Sequence, residues 1–341
     1  MEAHRSPVEA FALHSLTFHG GRLDEAATAF PDAPRPWLDL STGINPFAWD
    51  GAVPPVDLRA LPSVTALAGL ERAAAAAFGV PDASVAVLPG TEIGLRLLGH
   101  LGLPAPFRYI APGYRTHGEA LARAMAISVE AIDEAAGQGG TLLLANPNNP
   151  DGRLLPLERL LALARRLGTR GGVLVVDEAF IEATPEASLL PHLRADDPVL
   201  VFRSFGKYFG LAGVRLGFAC GAPTLVARMR ALLGSWPVSA TAIAVGTAAY
   251  RDSWWIDGMR EGVAGAAAAL DRVLASHALT PLGGCPLFRL VETDAAAVLF
   301  DRLARVGILT RPFEYNPRWL RFGLPGDAAA LSRLNEALGH R

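Results

Sequence analysis

Between residues 84 and 219, short apolar runs alternate with amphipathic stretches, and this alternation narrows the fold more than any other feature of the chain. Residues 84–88, 109–111, 141–145, 172–176 and 198–202 have the length and apolar content of buried strands. Residues 91–101, 116–126 and 157–167 between them read as helices, the last with apolar side chains at helical spacing. Strands that alternate with helices assemble as a mostly parallel sheet covered on both faces, which defines an α/β fold. Helical patterns then dominate residues 225–278, including a long segment from Trp254 onward. The tail switches to strand–helix–strand–strand–helix over 287–291, 295–305, 308–311, 319–322 and 328–338, which predicts a small α+β domain. The first 60 residues are rich in Pro and Gly and follow no period, as expected of an arm packed on the small domain or on a neighbouring subunit.

With 341 residues and 51% hydrophobic content, the chain can bury a core for one large domain and a smaller one. Its net charge of −2, without long basic or acidic blocks, argues against a nucleic-acid partner. Cys220 and Cys285 are far apart and lack metal-ligand spacing, so neither a disulfide framework nor a metal site is expected. The first 21 residues include His4, Arg5, Glu9 and His14, and nowhere does a run of about 18 apolar residues occur. The expectation is a cytoplasmic protein without membrane segments.

Of the 31 basic residues, 30 are Arg, and Lys207 is the single lysine. Arg keeps its proton in a protein, whereas Lys can become a neutral amine and attack a carbonyl. A lone lysine in an Arg-rich background is therefore a candidate for amine chemistry, although a chance survivor would look the same.

In open α/β sheets, ligands bind beyond the carboxyl ends of the strands, and here those ends carry unusual residues. Gly90-Thr91-Glu92 follows the first run and opens a helix, offering free N–H groups to a phosphate or, equally, a simple N-cap. Asn146-Pro147-Asn148-Asn149-Pro150-Asp151-Gly152 follows the third; it is a turn whose amides also suit a ligand. The fourth run ends in Asp177-Glu178, and a carboxylate there needs a cation, either a protonated ring nitrogen or a structural arginine. After the fifth come Arg203-Ser204-Phe205-Gly206-Lys207 and then Gly213-Val214-Arg215-Leu216-Gly217. The lone lysine thus lies at a strand end beside a hydroxyl and a fixed positive charge.

In that order, these motifs resemble fold-type I pyridoxal-5′-phosphate enzymes of the aminotransferase class. The resemblance spans residues 88–218 and implies a mostly parallel seven-stranded sheet plus a small C-terminal domain. It further implies an arm at 1–47, a large domain at 48–250, a small domain at 251–341 and a homodimer. Carried over residue by residue, Lys207 would hold the cofactor as a Schiff base and Asp177 would pair with the pyridine nitrogen. Asn149 would donate to the ring hydroxyl, and Tyr114 would stack on the ring. The Gly90, Thr91 and Glu92 amides, Ser204 and Arg215 would hold the phosphate. Arg321, in Trp319-Leu320-Arg321-Phe322, matches the arginine that grips a substrate carboxylate. Two positions depart from the pattern: Phe180 and Leu61 stand where many relatives carry tyrosines.

His19-Gly20-Gly21, the stretch from Asp39 to Pro46, Trp236-Pro237-Val238-Ser239 and Ile308-Leu309-Thr310-Arg311 resemble the branch of threonine-phosphate decarboxylases and histidinol-phosphate aminotransferases. The implied substrate is a phosphorylated amino compound, with His19, Gly20, Gly21, Asn45, Arg311 and Arg321 as its contacts. Decarboxylation of L-threonine O-3-phosphate for cobalamin synthesis is the reaction this implies, with histidinol-phosphate transamination as the alternative.

Overall fold

The computed structural model describes residues 16–283 and 285–339, so the expectation drawn from His4, Arg5, Glu9 and His14 falls outside the described residues. Two compact units are present, one of Ala48–Arg260 and one joining the chain up to Phe47 with Glu261 onward. The second boundary lies beyond the expected 250/251 because the helix Ser253–Ser276 runs through it, and composition marks no break inside a helix.

The Ala48–Arg260 unit is built on seven strands: β1 (Val85–Leu88), β2 (Phe107–Ile110), β3 (Met125–Ile127), β4 (Thr141–Ala145), β5 (Val173–Asp177), β6 (Val199–Ser204) and β7 (Gly217–Gly221). Their order is β1-β7-β6-β5-β4-β2-β3, parallel except for β7, which runs antiparallel to both β1 and β6. Every residue of β4, β5, β6 and β7 is buried, and for β4, β5 and β6 this is why the strands read as continuous apolar runs. Full burial of Leu174, Val175 and Val176 contributes roughly 1.5–3 kcal/mol per side chain. Leu95, Leu98, Val226 and Met229, on the covering helices, pack against Leu88, Leu143, Val175, Phe202 and Ala219 of the sheet.

Two strands escape the periodicity. β3 lies where residues 116–126 read as one helix; that helix is only Arg115–Glu119, and β3 is a three-residue edge strand with Met125 and Ala126 exposed. β7 is Gly-Phe-Ala-Cys-Gly, whose small residues give no strand signal.

In the other unit, Phe288–Glu292, Trp319–Gly323 and Arg311–Pro312 form an antiparallel sheet, with Trp319–Gly323 in the middle. Leu38–Asp39 pairs in parallel with Ile308–Leu309, so part of the N-terminal segment is an integral strand of this unit. The expected strand 308–311 is therefore split, Ile308–Leu309 serving one sheet and Arg311–Pro312 the other. Among the described residues, no helix is long and apolar enough to cross a membrane, and no group of three or more His, Cys, Asp or Glu could hold a metal ion. Both cysteines are free and buried.

Behind the ends of β5 and β6 lies a buried ion cluster. Arg203 Nη1 meets Glu178 Oε2 at 3.3 Å, its Nε donates to Glu182 Oε1 at 3.1 Å, and its guanidinium sits 4.4 Å from the centre of the Phe78 ring. Ser188 and the Leu189 amide donate to Glu178, while Glu182 Oε2 is buried with no hydrogen-bond partner. One guanidinium faces two carboxylates, and burial pushes both carboxyls above their ordinary range, with Arg203 offsetting part of the rise. A carboxyl raised in the folded state binds more protons folded than unfolded, so its contribution is complete below the unfolded value and is lost as pH rises through the raised folded value. Glu182→Gln should therefore raise the melting temperature by roughly 2–4 °C near about pH 8, with the gain vanishing toward about pH 4. A lower melting temperature at the higher pH would contradict this account of the cluster.

Candidate active site

The ends of the parallel strands in the Ala48–Arg260 unit bring the expected cofactor residues onto neighbouring turns. β1 leads through Gly90, at φ 88°, into the helix Thr91–Leu97. That φ suits glycine alone, and a Cβ there would also lie 2.6 Å from the Arg215 guanidinium. Gly90 has no side chain to cap the helix, leaving the first-turn amides of Thr91 and Glu92 for an anion. Across from them, a Cβ on Gly217 at the start of β7 would lie 2.9 Å from the Thr91 nitrogen, so strand and helix start meet backbone to backbone. Arg215, just before β7, occupies the left-handed region at φ 56° and donates Nη1 to the Ala212 carbonyl at 3.0 Å. Backbone amides with a guanidinium beside them form a donor set suited to a phosphate.

Ser204 ends β6 and is buried, and its hydroxyl does not cap the short helix Phe205–Tyr208 that carries Lys207. An aromatic stack fixes this helix. Phe205 stacks on Phe209 at 4.6 Å, Phe209 on Trp255 at 5.4 Å, and Tyr208 Oη donates to the Ile256 carbonyl at 2.6 Å. Lys207 Nζ lies 5.8 Å from the centre of the Phe180 ring. Phe180 thus presents an apolar ring beside the amine.

Asp177 ends β5, 5% exposed, with Oδ1 accepting from the Ala179 amide at 3.1 Å and Oδ2 3.1 Å from His117 Nε2. His117 is fully buried and was missed in the sequence. The available signal was that a buried carboxylate needs a donor, but this donor lies 60 residues earlier in the chain. In the asparagine-rich turn, Asn146 Oδ1 accepts from the Leu155 amide at 2.8 Å, while Asn148 donates to the Pro112 carbonyl and to Asp151. Two of the three asparagines therefore hold the turn, and the third, Asn149, is half-buried.

Tyr114 packs edge-on to the His117 ring with centroids 5.7 Å apart, and its Oη donates to Glu92 Oε2 at 2.9 Å. Burial, and next the nearby Glu92 carboxylate, push the phenol well above its ordinary range, so it stays a donor. Collected at these strand ends are a phosphate cradle, an amine, an aromatic ring and a carboxylate suited to a protonated ring nitrogen. That donor set fits the phosphate-bearing pyridine aldehyde implied by the sequence motifs.

The other unit gathers the remaining candidates. Arg311 and Arg321 face each other across the antiparallel pair, and both are buried. Arg321 Nη2 donates to the Ser41 carbonyl at 2.9 Å with its guanidinium carbon 4.8 Å from the centre of the Phe288 ring, and burial pushes its pKa down to about 10. Arg311 donates to the Leu16 carbonyl at 2.9 Å and to that of Phe18, fixing the residues that lead into His19. A Cβ on Gly20 would lie 2.3 Å from the Ser41 carbonyl oxygen that Arg321 holds, and the Gly21 amide donates to Ser41 Oγ at 2.8 Å. The His19-Gly20-Gly21 segment thus sits against both arginines' partners. Asn45 is different, because its Oδ1 accepts from the Phe47 amide at 3.0 Å and serves a local turn.

Known proteins match this chain along most of its length. The aminotransferase class I and II model matches residues 123–338. A threonine-phosphate decarboxylase of Sinorhizobium is 40% identical over 329 residues, covering 94% of this chain and 97% of the relative. One from Pseudomonas aeruginosa is 40% identical over 328 residues, covering 94% and 96%. The crystal structure of histidinol-phosphate aminotransferase from Sinorhizobium meliloti in complex with pyridoxal-5′-phosphate has the same fold, with a TM-score of 0.80 at 23% identity over 99% of this chain and 97% of that one. A seven-stranded sheet with Lys207, Asp177 and Arg215 at its strand ends, matched along nearly its whole length, places the chain in the class I and II aminotransferase family, in the branch that contains threonine-phosphate decarboxylases.

Proposed function

We propose that this chain removes CO₂ from L-threonine O-3-phosphate with pyridoxal 5′-phosphate as cofactor, giving (R)-1-amino-2-propanol O-2-phosphate for cobalamin synthesis. The observation that carries the reading is the buried Arg311–Arg321 pair. Like charges directly opposite across a sheet repel, and burying guanidinium groups costs solvation. A ligand with two anionic groups, a carboxylate and a phosphate, offsets both costs. Relatives 40% identical along nearly the whole chain are threonine-phosphate decarboxylases, which favours this reaction over transamination of histidinol phosphate.

The residues divide the work. Bound cofactor supplies an electron sink for the bond broken at Cα of the substrate. Lys207 would anchor the cofactor through its amine, and that amine is placed to move a proton at Cα of the substrate. Asp177, held by His117, keeps a proton on the ring nitrogen, and Asn149 donates to the ring hydroxyl. The Gly90, Thr91 and Glu92 amides, Ser204 and Arg215 hold the cofactor phosphate. Arg321 takes the substrate carboxylate with its planar fork. His19, the Gly20 and Gly21 amides and Arg311 take the substrate phosphate, Arg311 also holding their segment in place through the Leu16 and Phe18 carbonyls. A homodimer completes the reading, supported by Leu58, Leu61 and Val64, which are 76%, 67% and 82% exposed along one Pro- and Leu-rich stretch.

Purified protein loaded with pyridoxal phosphate should release CO₂ and aminopropanol phosphate from L-threonine O-3-phosphate without a keto-acid acceptor. Amino transfer from histidinol phosphate to 2-oxoglutarate, with no CO₂, would replace the proposed reaction. Asp177→Asn should leave the cofactor bound while slowing turnover by at least about a hundredfold. Near-normal turnover would show that ring protonation does not depend on this carboxylate.

A further inference from the structure

We propose that the Glu92 side chain is a positioning residue for the cofactor ring, fixing Tyr114 and, through it, the His117–Asp177 pair. The inference rests on the cofactor reading above and adds a role for a carboxylate whose backbone alone has been assigned one.

Glu92 stands in the first turn of the helix after Gly90, beside the amides assigned to the cofactor phosphate. Three donors converge on its carboxylate. Tyr114 Oη reaches Oε2 at 2.9 Å, Thr116 Oγ1 lies 3.0 and 2.9 Å from the two oxygens, and Arg96 Nε reaches Oε1 at 3.0 Å. An i,i+4 pair with Arg96 would be enough for an exposed helix surface and would contribute only about 0.3–0.5 kcal/mol. The two further donors come from the segment after β2, Tyr114 at the N-cap and Thr116 in the first turn of the helix Arg115–Glu119, so Glu92 ties two strand-end segments together.

The tie continues inward. Tyr114 stands edge-on to His117 at 87°, and His117 Nε2 meets Asp177 Oδ2. Arg96–Glu92–Tyr114–His117–Asp177 is thus a continuous path from the surface to the carboxylate assigned to the ring nitrogen. At the outer end, Arg96 also pairs with Glu119 at 2.7 Å and Arg115 with Glu119 at 2.9 Å, so two guanidinium groups match two carboxylates. The ionisable groups that act on Tyr114 are Glu92 and Asp177, both carboxylates, which together with burial keep its phenol protonated and donating. The orientation of the stacking ring is thereby set by a charge-assisted hydrogen bond rather than by packing alone.

The test uses cofactor-free protein titrated with pyridoxal phosphate, read by visible absorbance and by the circular dichroism induced in the cofactor band. Glu92→Gln removes the charge that strengthens this hydrogen bond, and Tyr114→Phe removes its donor. Each should weaken cofactor binding by roughly fivefold to tenfold and change the induced dichroism in the same way. The double variant should be no worse than either single one, as expected of two residues acting through one contact. Unchanged affinity and dichroism in Glu92→Gln, or a double variant with multiplied losses, would overturn the proposal while leaving the cofactor reading intact. Should Glu92→Gln not fold, Tyr114→Phe with wild-type dichroism overturns it alone. Wild-type protein that takes up no cofactor would overturn both the proposal and the reading on which it rests.

Discussion

The arrangement of the Ala48–Arg260 unit depends on a carboxylate placed at the end of a fully buried strand. β5 is apolar until Asp177, and an unmet charge there would cost several kcal/mol. Two contacts meet it on the protein side, the Ala179 amide and His117. The sheet itself supplies the reason these groups can converge. Strands β4, β5 and β6 run in parallel and end at the same edge, delivering Asn149, Asp177 and Ser204–Lys207 onto adjacent turns. Antiparallel β7 returns to that edge at Gly217 and brings Arg215 beside Gly90.

Much of this was legible in the sequence because the two relevant signals are local. Apolar runs mark buried strands, and the candidate residues stand where those runs end. Lys207, Asp177 and Gly90 follow that rule, whereas Arg215 lies just before β7. The residues that escaped it act through distance. His117 carries no signature of its own, and its role arises only when a segment 60 residues upstream packs against β5. The two missed strands lack the expected composition: β3 is short and lies at the edge, and β7 is glycine-bounded and filled with small side chains. Asn146 and Asn148 illustrate the opposite ambiguity. A cluster of amides invites a ligand reading, yet two of these close their own turn.

The second unit carries a different constraint, two buried arginines in register across a pair of strands. Their side chains are held by carbonyls of the N-terminal segment, Ser41 for Arg321 and Leu16 and Phe18 for Arg311. Sequence reading grouped Arg311 with the direct substrate contacts. The geometry gives it first the work of fixing the chain that leads into His19. In this account, cofactor chemistry and substrate anion recognition are built in different parts of the chain. That separation is consistent with a family in which one cofactor cradle serves several reactions.

The central claim is that Lys207, the single lysine, is the covalent anchor of the cofactor. Borohydride reduction of the pyridoxal-phosphate-loaded protein, followed by digestion and mass analysis, tests it most directly. The account predicts one phosphopyridoxyl adduct, on the peptide that contains Lys207, and loss of the visible absorbance in Lys207→Ala. Absence of that adduct from the reduced protein, or retained absorbance in the variant, would contradict it.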